Sequence, residues 1–134
     1  MPTLEEIRET FSNDRFAAAA GIEILEAAPH SARCSMELTA MHKNARGTVM
    51  GGAVFTLADF AVAVAANAFA QATATVTQQA DIAFLSAAKG NTLFAQVQCL
   101  KAGRSTAYYS IDVHDELGTY VAQAHANCFV LSPR

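Results

Sequence analysis

The stretch Gly51–Ala70, GGAVFTLADFAVAVAANAFA, decides the fold. It is long enough and apolar enough to invite reading as a membrane span. Three features oppose that reading. Asp59 sits near the middle, at a cost of roughly 2.5–3.5 kcal/mol on insertion scales. Alanine, only weakly hydrophobic, dominates the run, and no Trp or Tyr belt flanks it. The stretch therefore reads as a helix over 51–70, opened by a Gly-Gly pair and buried on nearly all sides inside a protein core.

Downstream, the pattern changes to period two. Residues 75–86 place Val76, Ala80, Ile82 and Phe84 on one face, and 92–101 alternate Leu93, Ala95, Val97 and Cys99. Strands over 106–114 and 119–131 follow. Short Gly-containing turns at 89–91, 102–104 and 115–118 separate these four strands and predict an antiparallel meander. Upstream, 31–40 alternates Ala32, Cys34, Met36 and Leu38 against Arg33, Ser35, Glu37 and Thr39, and a strand from Ile22 ends at Pro29. Thr3 and Glu6 form a capping-box pattern for a short helix over 3–11, with one more turn over 16–20. The class is α+β. One helix apolar all round and one antiparallel sheet have a natural packing, in which a curved sheet wraps the helix.

The chain has 134 residues, the size of one ordinary domain over 1–134. Hydrophobic residues make up 52% and charged residues 16%, which excludes intrinsic disorder and leaves apolar surface for self-association. The net charge of -3, with no basic run, argues against nucleic acid as a partner. Cys34, Cys99 and Cys128 are widely spaced and form no metal-ligand pattern with histidine, so they read as core residues of a reducing cytoplasm. His114 and His125 read as sheet residues, with no metal site expected. The N-terminus lacks an apolar signal region.

The segment Asn44-x-x-Gly47-x-x-Met50-Gly51-Gly52-x6-Asp59 resembles the signature of the hotdog-fold acyl-CoA thioesterases, in the phenylacetic-acid-degradation (PaaI-type) branch. That signature reads Asn-x-x-Gly-x-x-His-Gly-Gly, with Asp nine residues after the His. Spacing matches throughout, and the order of elements matches over about 15–132. The resemblance implies hydrolysis of an acyl-CoA, coenzyme A being part of the substrate and no cofactor being needed. It further implies a homodimer, assembled as a dimer of dimers, and a coenzyme-A-contacting turn at Gly103-Arg104-Ser105. Methionine replaces the family's His at position 50, and methionine cannot donate a hydrogen bond. His42, eight residues upstream, is not its replacement.

Thioester hydrolysis needs an oxyanion donor, a base or nucleophile, and a dry acyl pocket. Gly51 and Gly52 at a helix start offer free amides and the positive end of the helix dipole. Asp59 offers the carboxylate, and its apolar helix neighbours Phe55, Val62 and Ala63 should raise its pKa. Thr56, one turn before it, is a candidate to assist water, and Met50 a candidate pocket wall. Asn44 either closes an Asx turn or contacts substrate, or does both. Lys101, Gly103, Arg104 and Ser105 form the densest candidate for the coenzyme A phosphates, with Lys89 and Arg46 as further cations. Gln78 and Gln79 take opposite faces under strict alternation. Gly51 and Asp59 lie about 12 Å apart along one helix, too far for one thioester carbon to touch both. The two groups must come from different chains, across a twofold axis. Two other readings remain: an acyl-CoA-binding protein without hydrolysis, which Met50 favours, and a hydratase, which the missing His disfavours.

Overall fold

A computed structural model describes residues 1–70 and 73–132. The chain runs α1 (Leu4–Phe11), α2 (Arg15–Ala19), β1 (Ile22–Ala28), β2 (Ser31–Glu37), α3 (Gly51–Asn67), β3 (Thr75–Phe84), β4 (Thr92–Ala102), β5 (Thr106–Asp115) and β6 (Tyr120–Val130). The capping box at α1 forms as expected. Thr3 Oγ1 accepts from the Glu6 amide at 3.2 Å, and Glu6 Oε1 accepts from the Thr3 amide at 3.0 Å.

The strands make one antiparallel six-stranded sheet in the order β1-β2-β4-β5-β6-β3. This corrects the expected meander. The turns at 102–104 and 115–118 close hairpins, but 85–91 carries the chain across the sheet. β3 pairs only with β6 and forms an edge, while β4 enters beside β2. Short Gly-containing connections specify proximity of chain ends, not pairing of the strands they join.

α3 packs against all six strands, which one helix achieves only if the sheet curves around it. Bulges help that curvature. One lies between Thr77 and Gln79, another between Cys99 and Lys101. The first also shifts the side-chain parity of β3. Thr77 pairs with buried Cys128, and past the bulge Ala80 pairs with buried Ala126. Val76 thus falls on the outer face and does not share one with Ala80 and Ile82. Gln78 takes the bulge, so the expected simple alternation with Gln79 does not hold.

Val54, Leu57, Ala58, Ala61, Val62, Val64 and Ala65 of α3 are buried. They meet Cys34, Met36, Leu93, Val97, Ile111 and Ala124 from the sheet. One stripe of the helix escapes burial: Gly52 and Asp59 are exposed, and Thr56 and Ala63 half-buried. The spacing of these four residues traces a single helix face. α3 ends at Asn67, not at 70, where Asn67 turns its amide to the Thr75 carbonyl (2.9 Å) and accepts from the Thr75 amide (2.7 Å). β2 stops at Glu37, short of the expected 40, because Ala40–His42 forms a 3-10 turn.

Candidate active site

The loop before α3 is built to present the helix start. Asn44 Oδ1 accepts from the Arg46 amide (2.9 Å), the Thr48 amide (3.2 Å) and the Thr48 hydroxyl (3.1 Å). The Asx-turn reading of Asn44 is therefore realised, with Gly47 at φ +82° supplying the left-handed residue that the turn requires. The Met50 amide donates to the His42 carbonyl at 2.8 Å. His42 is buried with both ring nitrogens engaged. Nδ1 accepts from the Thr39 amide, so Nε2 carries the proton and donates to the Ala20 carbonyl at 2.6 Å. It is a strut between the loop and α2, in accord with its exclusion as a replacement for the family's His.

The amides of Gly51 and Gly52 have no acceptor among the described residues. Gly51 lines a groove of about 400 Å³, walled by Phe84, Leu85 and Ser86, while Gly52 is exposed at the start of the helix. A Cβ on Gly51 would lie 3.0 Å from the Phe84 ring, so glycine permits that wall to close in. Met50 is 55% exposed at the N-cap.

Asp59 lies two turns on, beside a separate cleft of about 240 Å³ lined by Asp14, Phe16, Thr56 and Phe60. The carboxylate meets solvent in the single chain. Desolvation by its apolar surroundings nevertheless raises its pKa, and the like charge of Asp14 raises it further. Thr56 donates its hydroxyl proton to the Gly52 carbonyl at 2.7 Å, which leaves its oxygen free to accept. Among the described residues, the Gly51 groove and the Asp59 cleft have no lining residue in common.

The turn after β4 lies farther away. Lys101 and Arg104 are exposed and make no ion pair among the described residues. The turn is held by its backbone, Gly103 donating to the Thr106 carbonyl and Val130 donating to the Ser105 carbonyl, both at 2.8 Å. Thr106 shares a rung with Phe129 and Val76, whereas Phe84, beside Gly51, is eight residues further along β3. At about 3.3 Å per residue, that separates the turn from the same chain's Gly51 by roughly 26 Å. Arg46 and Lys89 are both exposed.

Sequence reasoning missed two contributors. The first is α2, whose Asp14, Arg15 and Phe16 form a wall of the Asp59 cleft. Asp14 falls in the gap between the expected helix over 3–11 and the turn over 16–20, and the 77% exposure of Phe16 has no sequence signature. The second is Asp115, buried, whose carboxylate accepts the amides of Lys89 (2.8 Å), Gly90 (2.9 Å), Leu117 (3.0 Å) and Thr119 (2.8 Å). It anchors the segment that continues from the wall of the Gly51 groove. Burial alone would raise its pKa, but these hydrogen bonds outweigh it and hold the carboxyl well below the usual range. Two acids in an Asp-Glu-Leu-Gly turn were the available signal. Cys34 and Cys128 are core residues as expected, whereas Cys99 is only half-buried; desolvation pushes the Cys34 thiol up to about 12. Among the described residues, no group of His, Cys, Asp and Glu could hold a metal ion, and no helix is long and apolar enough to cross a membrane.

Comparison with known proteins agrees with this architecture. Residues 46–122 match the thioesterase superfamily. A Deinococcus radiodurans protein with a provisional esterase name is 38% identical over 98 residues, which cover 73% of this chain and 66% of that protein. The chain thus spans about two thirds of that relative. Acyl-coenzyme A thioesterase PaaI of Escherichia coli is 34% identical over 113 residues, covering 84% of this chain and 79% of the relative. The solved structure of the E. coli PaaI protein from the phenylacetic acid degradation operon superimposes with a TM-score of 0.86 at 30% identity, covering 93% of this chain and 90% of that one. The chain belongs to the thioesterase superfamily, a family of thioester hydrolases, and has the hotdog fold of its PaaI-type members.

Proposed function

We propose that the protein hydrolyses a small aryl or medium-chain acyl-CoA to the free acid and coenzyme A, at sites shared by two chains. One observation carries this reading. The free amides of Gly51 and Gly52 and the carboxylate of Asp59 lie on one helix, about two turns apart, and the Gly51 groove and the Asp59 cleft share no lining residue among the described ones. An antiparallel partner helix would bring the amides of one chain to the carboxylate of the other. The exposed edge strand β3, with Val76 and Phe84 unburied, is the natural place for that partner to add on.

In this arrangement the thioester oxygen sits against the Gly51 and Gly52 amides, which stabilise the developing oxyanion together with the helix dipole. Asp59 takes a proton from the attacking water, or attacks the carbonyl carbon itself to form an anhydride that water then opens. In either case the C–S bond breaks and coenzyme A leaves as the thiolate, which is protonated to the thiol. The raised pKa of Asp59 makes it a better base than an ordinary carboxylate. Thr56 accepts a hydrogen bond from that water. The Lys101–Ser105 turn meets the coenzyme A phosphates. Met50 forms part of the wall and leaves polarisation of the carbonyl to the backbone, with the side-chain amide of Asn44 as a further donor.

The test is complementation between two inactive chains, Asp59→Asn and Gly51→Val. Random mixing makes half the dimers mixed, each with one intact site of two, so about a quarter of wild-type thiol release should return. No recovery from a demonstrated mixed dimer would show that the site lies within one chain. Met50 supports a second reading, binding without hydrolysis. Thermal stabilisation by acyl-CoA with no thiol released by the wild type would favour it.

A further inference from the structure

The Asp59 cleft is not the largest cavity in the molecule. A groove of about 580 Å³ lies across α2 from it, with Phe11, Ile22, Ile24 and Phe60 on its apolar side and Arg8 and Glu23 also lining it. The reaction described above uses none of this space. α2 separates the two, its Asp14–Ala17 side facing the cleft and Ala18 facing the groove. Phe60 alone among the described residues borders both. Phe60 is 7% exposed, and its ring centroid lies 5.8 Å from that of Phe11 in an edge-to-face contact at 86°. It therefore runs beneath α2 as the floor of both spaces and is held there by Phe11.

We propose that Phe60 is the residue that limits acyl length, its ring closing the Asp59 cleft and denying longer chains the groove beyond. This rests on the acyl-CoA reading and adds a size limit to it. Phe60 and Asp59 line the same cleft, so the barrier borders the space in which the carboxylate acts. At about 240 Å³ the cleft is smaller than the roughly 300–1,000 Å³ of drug-sized ligand sites, which suits a short acyl or single aryl group. The groove offers Phe11, Ile22 and Ile24 to an alkyl tail, and Arg8, which also lines it, is held to the wall by donating to the Ile24 carbonyl at 3.0 Å.

The experiment measures kcat/KM for straight-chain acyl-CoAs from acetyl to palmitoyl, with the wild type, Phe60→Leu and Phe60→Ala. The palmitoyl-to-butyryl ratio should rise at least about tenfold in Phe60→Ala and less in Phe60→Leu. An unchanged ratio in either folded variant overturns the proposal. If Phe60→Ala does not fold, Phe60→Leu decides. Binding of non-hydrolysable thioether analogues of the same lengths, read as shifts in Tm, is measured in parallel. A wild type that releases no thiol refutes the hydrolase reading alone. The chain-length dependence of the thermal shifts then still decides whether Phe60 limits length.

Discussion

Asp59 and Asp115 are both acids of folded loops and helices, yet the fold pushes them in opposite directions. Asp59 loses water and gains Asp14, so ionisation costs the native state more than the unfolded one. Its folded pKa is raised, so the penalty is full at neutral pH and vanishes as pH falls below the unfolded value of about 3.9. Asp59→Asn should therefore raise Tm at pH 7 and leave it unchanged near pH 3, while thiol release drops about 10²–10⁴-fold. Thermal melts at the two pH values check the sign. Activity that depends on ionised Asp59 should likewise fall on acidification at a higher pH than an ordinary carboxylate would give. Asp115 is the reverse case. Its folded pKa is lowered, so its stabilisation is present above about 3.9 and is lost as pH falls through the folded value. Asp115→Ala strands four amides at about 1–3 kcal/mol for each unsatisfied donor, and denaturant melts should show a loss of at least about 3 kcal/mol. The identity of Asp59 was readable because a carboxylate in an apolar helix is costly and needs a reason. Asp14 was not readable as its neighbour, because their approach depends on how α2 lies across α3.

Individual elements carry the substrate-binding argument. The β4–β5 turn is fixed by main-chain hydrogen bonds, so its cations are free for a ligand. Lys101→Ala combined with Arg104→Ala should raise KM for acyl-CoA about tenfold with little change in kcat. The effect should shrink with added salt and disappear for a thioester lacking the nucleotide, as steady-state kinetics on both substrates would show. The strands themselves were readable from their alternation, because each buries one face. The pairing of β3 was not. Hairpin chemistry at 89–91 favoured a neighbour in sequence, while the curved sheet and the long helix placed β3 beside β6. The bulge at Gln78, which reverses the parity of Val76, likewise answers to the partner strand and not to local pattern.

The whole molecule is an unfinished surface. The proposed dimer would cover an exposed stripe on α3 and extend the edge strand β3, where Val76 and Phe84 are unburied. Lysines facing each other across a pair of β3 edges would repel, so Val76→Lys with Ala83→Lys should yield a folded monomer without thiol release. Light scattering with circular dichroism would check this, and an active monomer would remove the need for a second chain. By itself the sequence determined the central helix, the alternating strands, the glycine start and the acid two turns along it. Those are local consequences of side-chain period and of the cost of burying charge. Only the tertiary structure decided the strand order, the wall that α2 adds to the Asp59 cleft, and the partition made by Phe60. Each of these depends on contacts between residues far apart in the chain, and period and propensity do not encode which distant surfaces meet.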